Sequence, residues 1–182
     1  MKRLLGTLAV LAAVAAAAAA AGAHAKPLDT MQAASLPAAE VEAGLPESHP
    51  AAIYAYAKRL FADGRRDEAV TWFYVGQLRF RFHLAASPTL PKGGDPALMA
   101  SLNASVGKVL NEWAGGSPQG WADSIDKALA WDAAHPNAVT SQQAHEKAWK
   151  DTRSGLAELR DSILANAQSI RAQRAQRGLE NR

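Results

Sequence analysis

The sequence predicts an all-α protein, and three observations lead to that class. Alanine is abundant while β-branched residues are sparse, a balance that favours helices over strands. Apolar residues recur at three- and four-residue spacing in several segments, as they do on one face of a helix. Five Trp, four Phe and three Tyr supply the bulk of a core. We therefore expect about five helices, arranged as antiparallel hairpins in a small bundle with a long C-terminal helix.

The first 25 residues have the pattern of a cleavable secretory signal. Lys2 and Arg3 precede an apolar run from Leu4 to Ala21, and Ala23-His24-Ala25 forms a small-residue cleavage site. The run is about as long as a short membrane span, so an uncleaved N-terminal anchor is the alternative. The sequence has no Cys, which excludes disulfides and attachment through a lipidated cysteine. We expect export to the periplasm, with membrane contact only through the transient signal.

The remaining residues, 26–182, suit one domain with a single core. They carry 18 basic and 17 acidic residues, because Lys2 and Arg3 leave with the signal. This near balance provides no basic surface for nucleic acid, so we predict no such partner. Within 26–49, three prolines and one glycine among small and acidic residues predict a flexible lead segment with at most one short helix. The folded domain is expected to comprise residues 50–182.

The first two predicted helices form a hairpin. Pro50 suits the first position of a helix whose apolar stripe extends to Phe61, and Gly64 can adopt the left-handed conformation that ends it. A second helix from Asp67 to about Leu84 is apolar around most of its circumference, which predicts a place at the centre of the domain. Because residues 78–84 alternate strictly between apolar and polar, a half-buried strand is the alternative for its end.

Three further helices are predicted. The third, from about residue 96 to 114, has an apolar stripe made of Leu98, Met99, Leu102, Val106, Val109, Leu110 and Trp113. The fourth runs from about Pro118 to Trp131. The last begins at Thr140 or Ser141, can bend at Gly155, and ends near residue 178. A solvated face is expected for its basic residues, with anionic lipid or an acidic protein as the alternative contact: Arg171, Arg174, Arg177 and Arg182.

Within the hairpin, small and aromatic residues recur at characteristic positions: Ala57, Leu60, Gly64, Asp67, Glu68, Ala69, Trp72, Phe73 and Gly76. These positions resemble one helix-turn-helix unit of the tetratricopeptide or Sel1-like repeat families, over residues 53–81. In such repeats small residues let paired helices approach and an aromatic, here Phe73, fills the space between them. Leu60 and Arg81 depart from the pattern, which often has an aromatic and a proline there. The resemblance implies a single helical hairpin and partner binding, and it supplies no catalytic residues.

An aromatic and arginine-rich set on the second helix is the candidate partner-binding surface: Trp72, Tyr74, Gln77, Arg79 and Arg81. Trp, Tyr and Arg supply much of the energy at the centre of protein interfaces. The alternative is that Gln77 and one of the arginines make internal hydrogen bonds or pair with Asp67, Glu68 or the C-terminal acids, since an unpaired buried guanidinium would be too costly to persist. The protein partner itself is not identified by the sequence.

No motif of catalysis or metal binding is complete. His145-Glu146 begins like a zinc-protease helix, but Trp149 stands where the second histidine is required. The other histidines are scattered, and His49 and His135 precede proline, which indicates turns. We therefore predict no cofactor, no metal and no catalytic residue.

The expected function is that of a non-catalytic protein-interaction protein of the periplasm. The first alternative is an immunity-type protein that neutralises a toxic enzyme delivered to the same compartment, suggested by small size, export and the missing catalytic motifs. A second alternative is a hydrolase built from dispersed carboxylates such as Glu112, Asp123 and Asp126, because two-carboxylate chemistry requires a geometry that sequence spacing does not display.

Overall fold

The computed structural model of the protein describes residues 25–182, and over this range it contains eight helices and no strand. The all-α prediction is confirmed, although about five helices were expected. Nearly all of the predicted signal, and with it the alternative of an uncleaved anchor, lies outside the described residues. Between residues 25 and 182, no helix combines the length and the apolar character needed to cross a membrane.

The eight helices follow one another with short connections. They are α1 Thr30–Ser35, α2 Ala38–Gly44, α3 Pro50–Ala62, α4 Arg66–Ala86, α5 Asp95–Leu102 with its continuation through a π-helical turn at Asn103–Gly107 and Lys108–Ala114, α6 Pro118–Ala134, α7 Glu146–Ala165 and α8 Ala167–Gln176. A 3-10 turn at Leu45–Glu47 connects α2 to α3.

Helix α4 is the centre of the fold, packing against α3, α5, α6 and α7. Its neighbours on several sides explain why it is apolar around most of its circumference. The strand alternative for residues 78–84 is wrong, because α4 continues as a helix to Ala86. The apolar residues Leu78, Phe80 and Phe82 are buried as the alternation suggested, but the intervening Arg79 is buried as well. A half-buried strand would have left Arg79 on its exposed face.

Two glycines allow the hairpin α3–α4 to form, one in its turn and one where the two helices approach. Gly64 has a φ of +83° in the turn, a left-handed conformation that few other residues adopt. Gly76 lies where α4 approaches α3, and a Cβ atom there would stand 2.9 Å from Cδ2 of Tyr54. Phe73 packs edge-on against Tyr54, with ring centroids 5.4 Å apart. The small residues and the aromatic filler therefore bring the two helices together as expected of a helical hairpin.

The prediction of a flexible lead segment at 26–49 is wrong, because α1 and α2 are part of the folded domain. Ala33 of α1, Val41 of α2 and Leu45, which directly follows α2, are fully buried. Polar contacts add to this packing, since the Tyr56 hydroxyl donates to Oε1 of Glu42 at 2.6 Å. Asp29 and Gln32 form a reciprocal capping box that begins α1. The apolar residues of the segment show little periodicity, but the fold buries these three completely.

Helix α5 departs from the predicted stripe at its π-helical turn. The turn widens the helix and changes which residues face the core. Of the predicted stripe, Met99, Val106 and Leu110 are buried as expected, whereas Leu98 and Val109 are exposed. Gly107 lies in the turn, where a Cβ atom would stand 3.0 Å from Cζ of Phe73. The turn thus allows α5 to approach the centre of the hairpin.

The C-terminal segment is two helices, not one. α7 begins at Glu146, later than expected, and continues as an uninterrupted helix through Gly155. The break comes at Asn166, whose side-chain amide donates to the Ser162 carbonyl at 2.8 Å. The same Ser162 carbonyl also accepts from the Asn166 backbone N–H at 3.0 Å, so both donors of Asn166 close the end of α7. α8 then ends at Gly178, which has a φ of +68°, so the predicted end of the last helix is confirmed.

Candidate functional site

The five predicted partner-binding residues do not share one surface. Trp72, Tyr74 and Arg79 are buried, Gln77 is half-buried, and Arg81 is exposed. A partner could not contact Tyr74 or Arg79 without opening the core, and only the edge of Trp72 reaches a small surface depression. The residues of the proposed surface are therefore divided: Arg79 belongs to a polar centre in the interior, and Arg81 lies at a groove on the exterior.

Arg79 forms the interior centre. The exposed fraction of its side chain is 1%, and so is that of Asp132, to whose Oδ1 its Nε donates at 3.2 Å. Its terminal nitrogens donate to three backbone carbonyls, at 3.4, 3.1 and 2.9 Å: those of Pro46, His135 and Pro136. Burial lowers the pKa of Arg79 and Asp132 opposes that shift, so the guanidinium stays charged. The arginine joins α4 to α6 and to the connections around them.

Asp132 is satisfied by donors from α7 as well. Its Oδ2 accepts from Nε1 of Trp149 at 2.9 Å and from Nη1 of Arg153 at 2.9 Å. Among the described residues Arg79 is the donor to the other oxygen, Oδ1. A buried charge is tolerated only with such a full set of partners. This centre is structural: it joins α6 and α7 to α4.

Gln77 and Tyr74 also make internal hydrogen bonds. Oδ1 of Asn103, in the π-helical turn, accepts from the Tyr54 hydroxyl at 2.8 Å and from Nε2 of Gln77 at 3.4 Å. The Tyr74 hydroxyl donates to Oδ1 of Asn111 at 2.9 Å. Burial raises the pKa of both tyrosines, because the phenolate is disfavoured away from water. The alternative interpretation, internal bonding, is therefore correct for Gln77 and Arg79. The acid that pairs with Arg79 is Asp132, which was not among the acids expected.

Arg81 lies at an open groove between α4 and α7, hereafter the α4–α7 groove. The groove has a volume of about 520 Å³ and is lined by Gln77, Leu78, Arg81, Ala85, Asp151, Thr152, Gly155, Leu156 and Leu159. Leu78 and Leu156 are buried at its floor, and Leu159 is exposed at its side. A second depression of about 450 Å³ shares Ala85, Asp151 and Thr152 with it and extends it past the start of α7. The two together form an elongated channel with a leucine floor and charged margins.

A cluster of ionisable groups that the sequence did not predict lies at the C-terminal end of α4. Nε2 of His83 and Nε2 of His49 lie 3.0 and 3.5 Å from Oδ2 of Asp95. The ring centroids of the two histidines are 5.8 Å apart. One ligand atom from each of the three residues lies within 4.8 Å of the others, so the group could hold a metal ion. The expectation that the histidines are scattered is wrong for this pair.

The antiparallel hairpin explains this meeting. His49 immediately precedes α3, and His83 lies near the end of α4. Antiparallel helices of a hairpin place the start of the first beside the end of the second. That geometry, combined with the histidine positions, was the signal in the sequence that could have revealed the pair. The contribution of Asp95 required the path of the connection after α4.

The three carboxylates considered for hydrolysis are not gathered into one site. Asp126 is paired with Arg160, whose Nη1 lies 2.6 Å from its Oδ1, and Asp123 accepts from Gln119 at 2.8 Å. Asp123 shares a groove of about 480 Å³ with Asp67, which is not one of the three. Glu112 is exposed and does not line that groove.

The comparisons with known proteins give a relative but no function. No protein-family model matches the chain, and no solved structure matches it. An uncharacterised protein of Haemophilus influenzae is 30% identical to it over 121 residues. The alignment covers 65% of this chain and 46% of the relative, so the chain spans about half the length of the relative that it matches. The resemblance of residues 53–81 to a tetratricopeptide or Sel1-like unit stays a prediction.

Proposed function

We propose that the protein is an exported, non-catalytic interaction module of the periplasm that binds a segment of a partner protein in the α4–α7 groove. The observation that carries the proposal is Arg81, which stands exposed at this open groove with no ion-pair partner among residues 25–182. A partner segment with apolar side chains for the leucine floor and a carboxylate for Arg81 fits the groove. Binding of an amphipathic segment in a groove between helices is a common mode of recognition.

Gly155 supports this role because nothing in the fold explains it. It lies in the middle of α7 and lines the groove, and no atom lies within 4 Å of a Cβ built there. A glycine inside a helix costs about 0.5–1 kcal/mol relative to alanine. The space above Gly155 is therefore empty without any steric need for glycine inside the molecule. A partner segment that approaches the α7 backbone closely would use that space.

The export and periplasmic parts of the proposal rest on residues 1–25 of the sequence. The interaction part rests on the groove. The partner is expected in the same compartment, so an envelope extract is the place to seek it. The partner's identity would also separate a resident scaffold role from the immunity-type role, since the latter requires a toxic enzyme as the captured protein.

The test is affinity capture from the envelope extract with the tagged protein, followed by mass spectrometry, using matched variants. Arg81→Glu should abolish capture of the partner by reversing the charge at the groove, and Gly155→Leu should reduce capture by filling the space above α7. Arg171→Glu is the control, because Arg171 is an exposed arginine on α8 and does not line the groove. Circular dichroism should show the same fold for all four proteins.

Two outcomes would contradict the proposal. A partner captured equally well by Arg81→Glu, Gly155→Leu and the unaltered protein would bind elsewhere, and the groove would lose its assigned role. A protein that captures nothing above background would remove the interaction function itself. Capture that is lost in both groove variants and kept in Arg171→Glu supports it.

A further inference from the structure

The cluster of His49, His83 and Asp95 has the ligand types and the spacing of a transition-metal site. Imidazole nitrogens and a carboxylate oxygen are common ligands of zinc. A tetrahedral zinc ion with such ligands about 2.0–2.1 Å away separates neighbouring ligand atoms by about 3.3 Å. In the structure, Oδ2 of Asp95 lies 3.0 Å from Nε2 of His83 and 3.5 Å from Nε2 of His49, one distance below and one above that value. Small movements of the side chains would bring all three ligand atoms to one ion.

His83 is held in a way that suits a metal ligand. Its Nδ1 lies 2.8 Å from the Thr140 hydroxyl oxygen, while its Nε2 faces Asp95. Metal-binding histidines almost always have their second nitrogen fixed by such a partner. A hydroxyl can donate or accept, so Thr140 can accommodate the tautomer of His83 that leaves Nε2 free for a metal. Thr140 is buried, and its own backbone N–H donates to Oδ1 of Asn137 at 3.1 Å, which fixes its place.

Asp95 and His49 are the other two candidate ligands, and Asp95 is better prepared to bind a metal than His49. Asp95 is the first residue of α5, where the helix dipole favours negative charge. Nδ1 of His49 accepts a long hydrogen bond of 3.3 Å from the backbone N–H of Ala51. Coordination through Nε2 of His49 would place the ring proton on Nδ1 and release that contact. We therefore expect His83 and Asp95 to be the principal ligands and His49 to be the weakest of the three.

The cluster is accessible from solvent. The exposed fractions of the side chains are 36% for His49, 27% for Asp95 and 14% for His83. An ion can therefore reach the site, and a fourth position is open to water, as in zinc sites that have three protein ligands. The cluster faces away from the residues that line the α4–α7 groove, with which it shares no member.

The geometry points to a zinc-binding site formed by His83, Asp95 and His49, with Thr140 as a positioning residue for His83. The site would join the end of α4 to the starts of α3 and α5. It is independent of the proposed partner binding, because no residue of the groove takes part.

The experiment is a calorimetric titration of the purified protein, prepared without a histidine tag and freed of metal by a chelator that is then removed. Zinc chloride is the probe. The unaltered protein should bind one zinc ion per chain, and cobalt, bound in its place, should give the intense visible absorption of a tetrahedral site. His83→Gln and Asp95→Asn should each lower the affinity at least about tenfold, and Thr140→Val should lower it about tenfold or more as the loss of a partner to a ligand does.

His145→Gln is the matched control, since His145 is exposed and lies outside the cluster. It should bind zinc as the unaltered protein does. The inference is overturned if the unaltered protein binds no zinc, or if zinc binding survives unchanged in His83→Gln, Asp95→Asn and Thr140→Val. Circular dichroism identifies any variant that does not fold, and the remaining two then decide the result.

Discussion

Two regions of the molecule use the same chemical groups at opposite degrees of exposure. In the interior, the Arg79 guanidinium carbon lies 4.5 Å from the centroid of the Trp131 ring, and Arg79 pairs with Asp132. At the surface, Arg182 lies 3.4 Å from the centroid of the Trp113 ring, and its Nη2 is 3.7 Å from Asp67. Each arginine also donates to backbone carbonyls, and each acid accepts from an indole N–H. Asp132 is 1% exposed and Asp67 is 83% exposed.

We expect burial, rather than the set of contacts, to determine how much such a centre contributes to stability. Water can replace any partner lost by Asp67, whereas it cannot reach Asp132. A surface ion pair is worth about 0–1 kcal/mol, but removing one partner of a buried pair costs about 3–5 kcal/mol. Each hydrogen bond of the interior centre is therefore required, and those of the surface are replaceable.

The largest expected effect is that of Arg79→Met. The variant keeps much of the apolar volume but removes the Arg79 donor from the buried Oδ1 of Asp132 and the buried Pro46 carbonyl, and from the partly buried carbonyls of His135 and Pro136. We expect a loss of about 3–5 kcal/mol in the free energy of unfolding. Urea unfolding followed by circular dichroism measures it. Arg81→Met, two residues further along the same helix and exposed, is the control and should change stability by less than about 0.5 kcal/mol.

Equal stability of Arg79→Met and Arg81→Met would show that Asp132 does not depend on Arg79. The comparison between interior and surface would then fail at its central residue. A large loss in Arg79→Met alone would confirm that the arginine originally considered for a partner surface is part of the core.

A smaller effect is expected when the indole N–H donor is removed from the buried Asp132 and, in a second variant, from the exposed Asp67. Trp149→Phe deletes the N–H that donates to Asp132 at 2.9 Å, and Trp113→Phe deletes the one that donates to Asp67 at 2.8 Å. A hydrogen bond to a charged group is worth about 1.5–3 kcal/mol, so we expect Trp149→Phe to lower the free energy of unfolding by at most about that amount. Arg153 still donates to the same oxygen of Asp132, which reduces the loss. Trp113→Phe should cost less than about 1 kcal/mol.

Thermal and urea unfolding of the two variants in parallel measures the difference. The substitutions are chemically identical and the two bonds have nearly the same length, so the difference reports the effect of burial. If the two losses are equal, the exposure of the carboxylate is not what sets the contribution of its donor.

Much of the helical architecture could be predicted from local patterns. The hairpin α3–α4 follows from the apolar periodicity, from Pro50 and from Gly64, all of which act within a few residues. The break at Asn166 and the π-helical turn at Asn103 were not predicted, because each depends on local hydrogen bonds that periodicity does not display. The place of 26–49 in the fold was missed since its burial depends on distant partners such as Tyr56.

The site residues were harder to predict than the helices. Composition identified Arg79 and Arg81 as notable, but their opposite environments depend on which side of α4 meets α6. Asp132, 53 positions after Arg79, carried no signal in the sequence that would pair it with an arginine. The pair His49 and His83 was within reach of prediction, because the hairpin alone brings these two ends together.

The smallest effect is expected at Arg182, which was predicted to lie on a solvated face. Its guanidinium lies against the Trp113 ring and donates to the Trp113 carbonyl at 3.0 Å. A cation over an exposed aromatic ring contributes about 0.5–1 kcal/mol, and the pair with Asp67 adds little. We therefore expect Arg182→Ala to lower the free energy of unfolding by about 0.5–1 kcal/mol.

Salt separates the two parts of this small effect. The contribution of the Asp67 pair should decrease between low salt and about 1 M salt, where the screening length falls to about 3 Å, whereas direct ring contact persists. Urea unfolding of Arg182→Ala and the unaltered protein at both salt concentrations measures this. A loss above about 2 kcal/mol that does not change with salt would mean that the surface centre behaves as the buried one does. Exposure would then not explain the difference between the Arg79 and Arg182 regions.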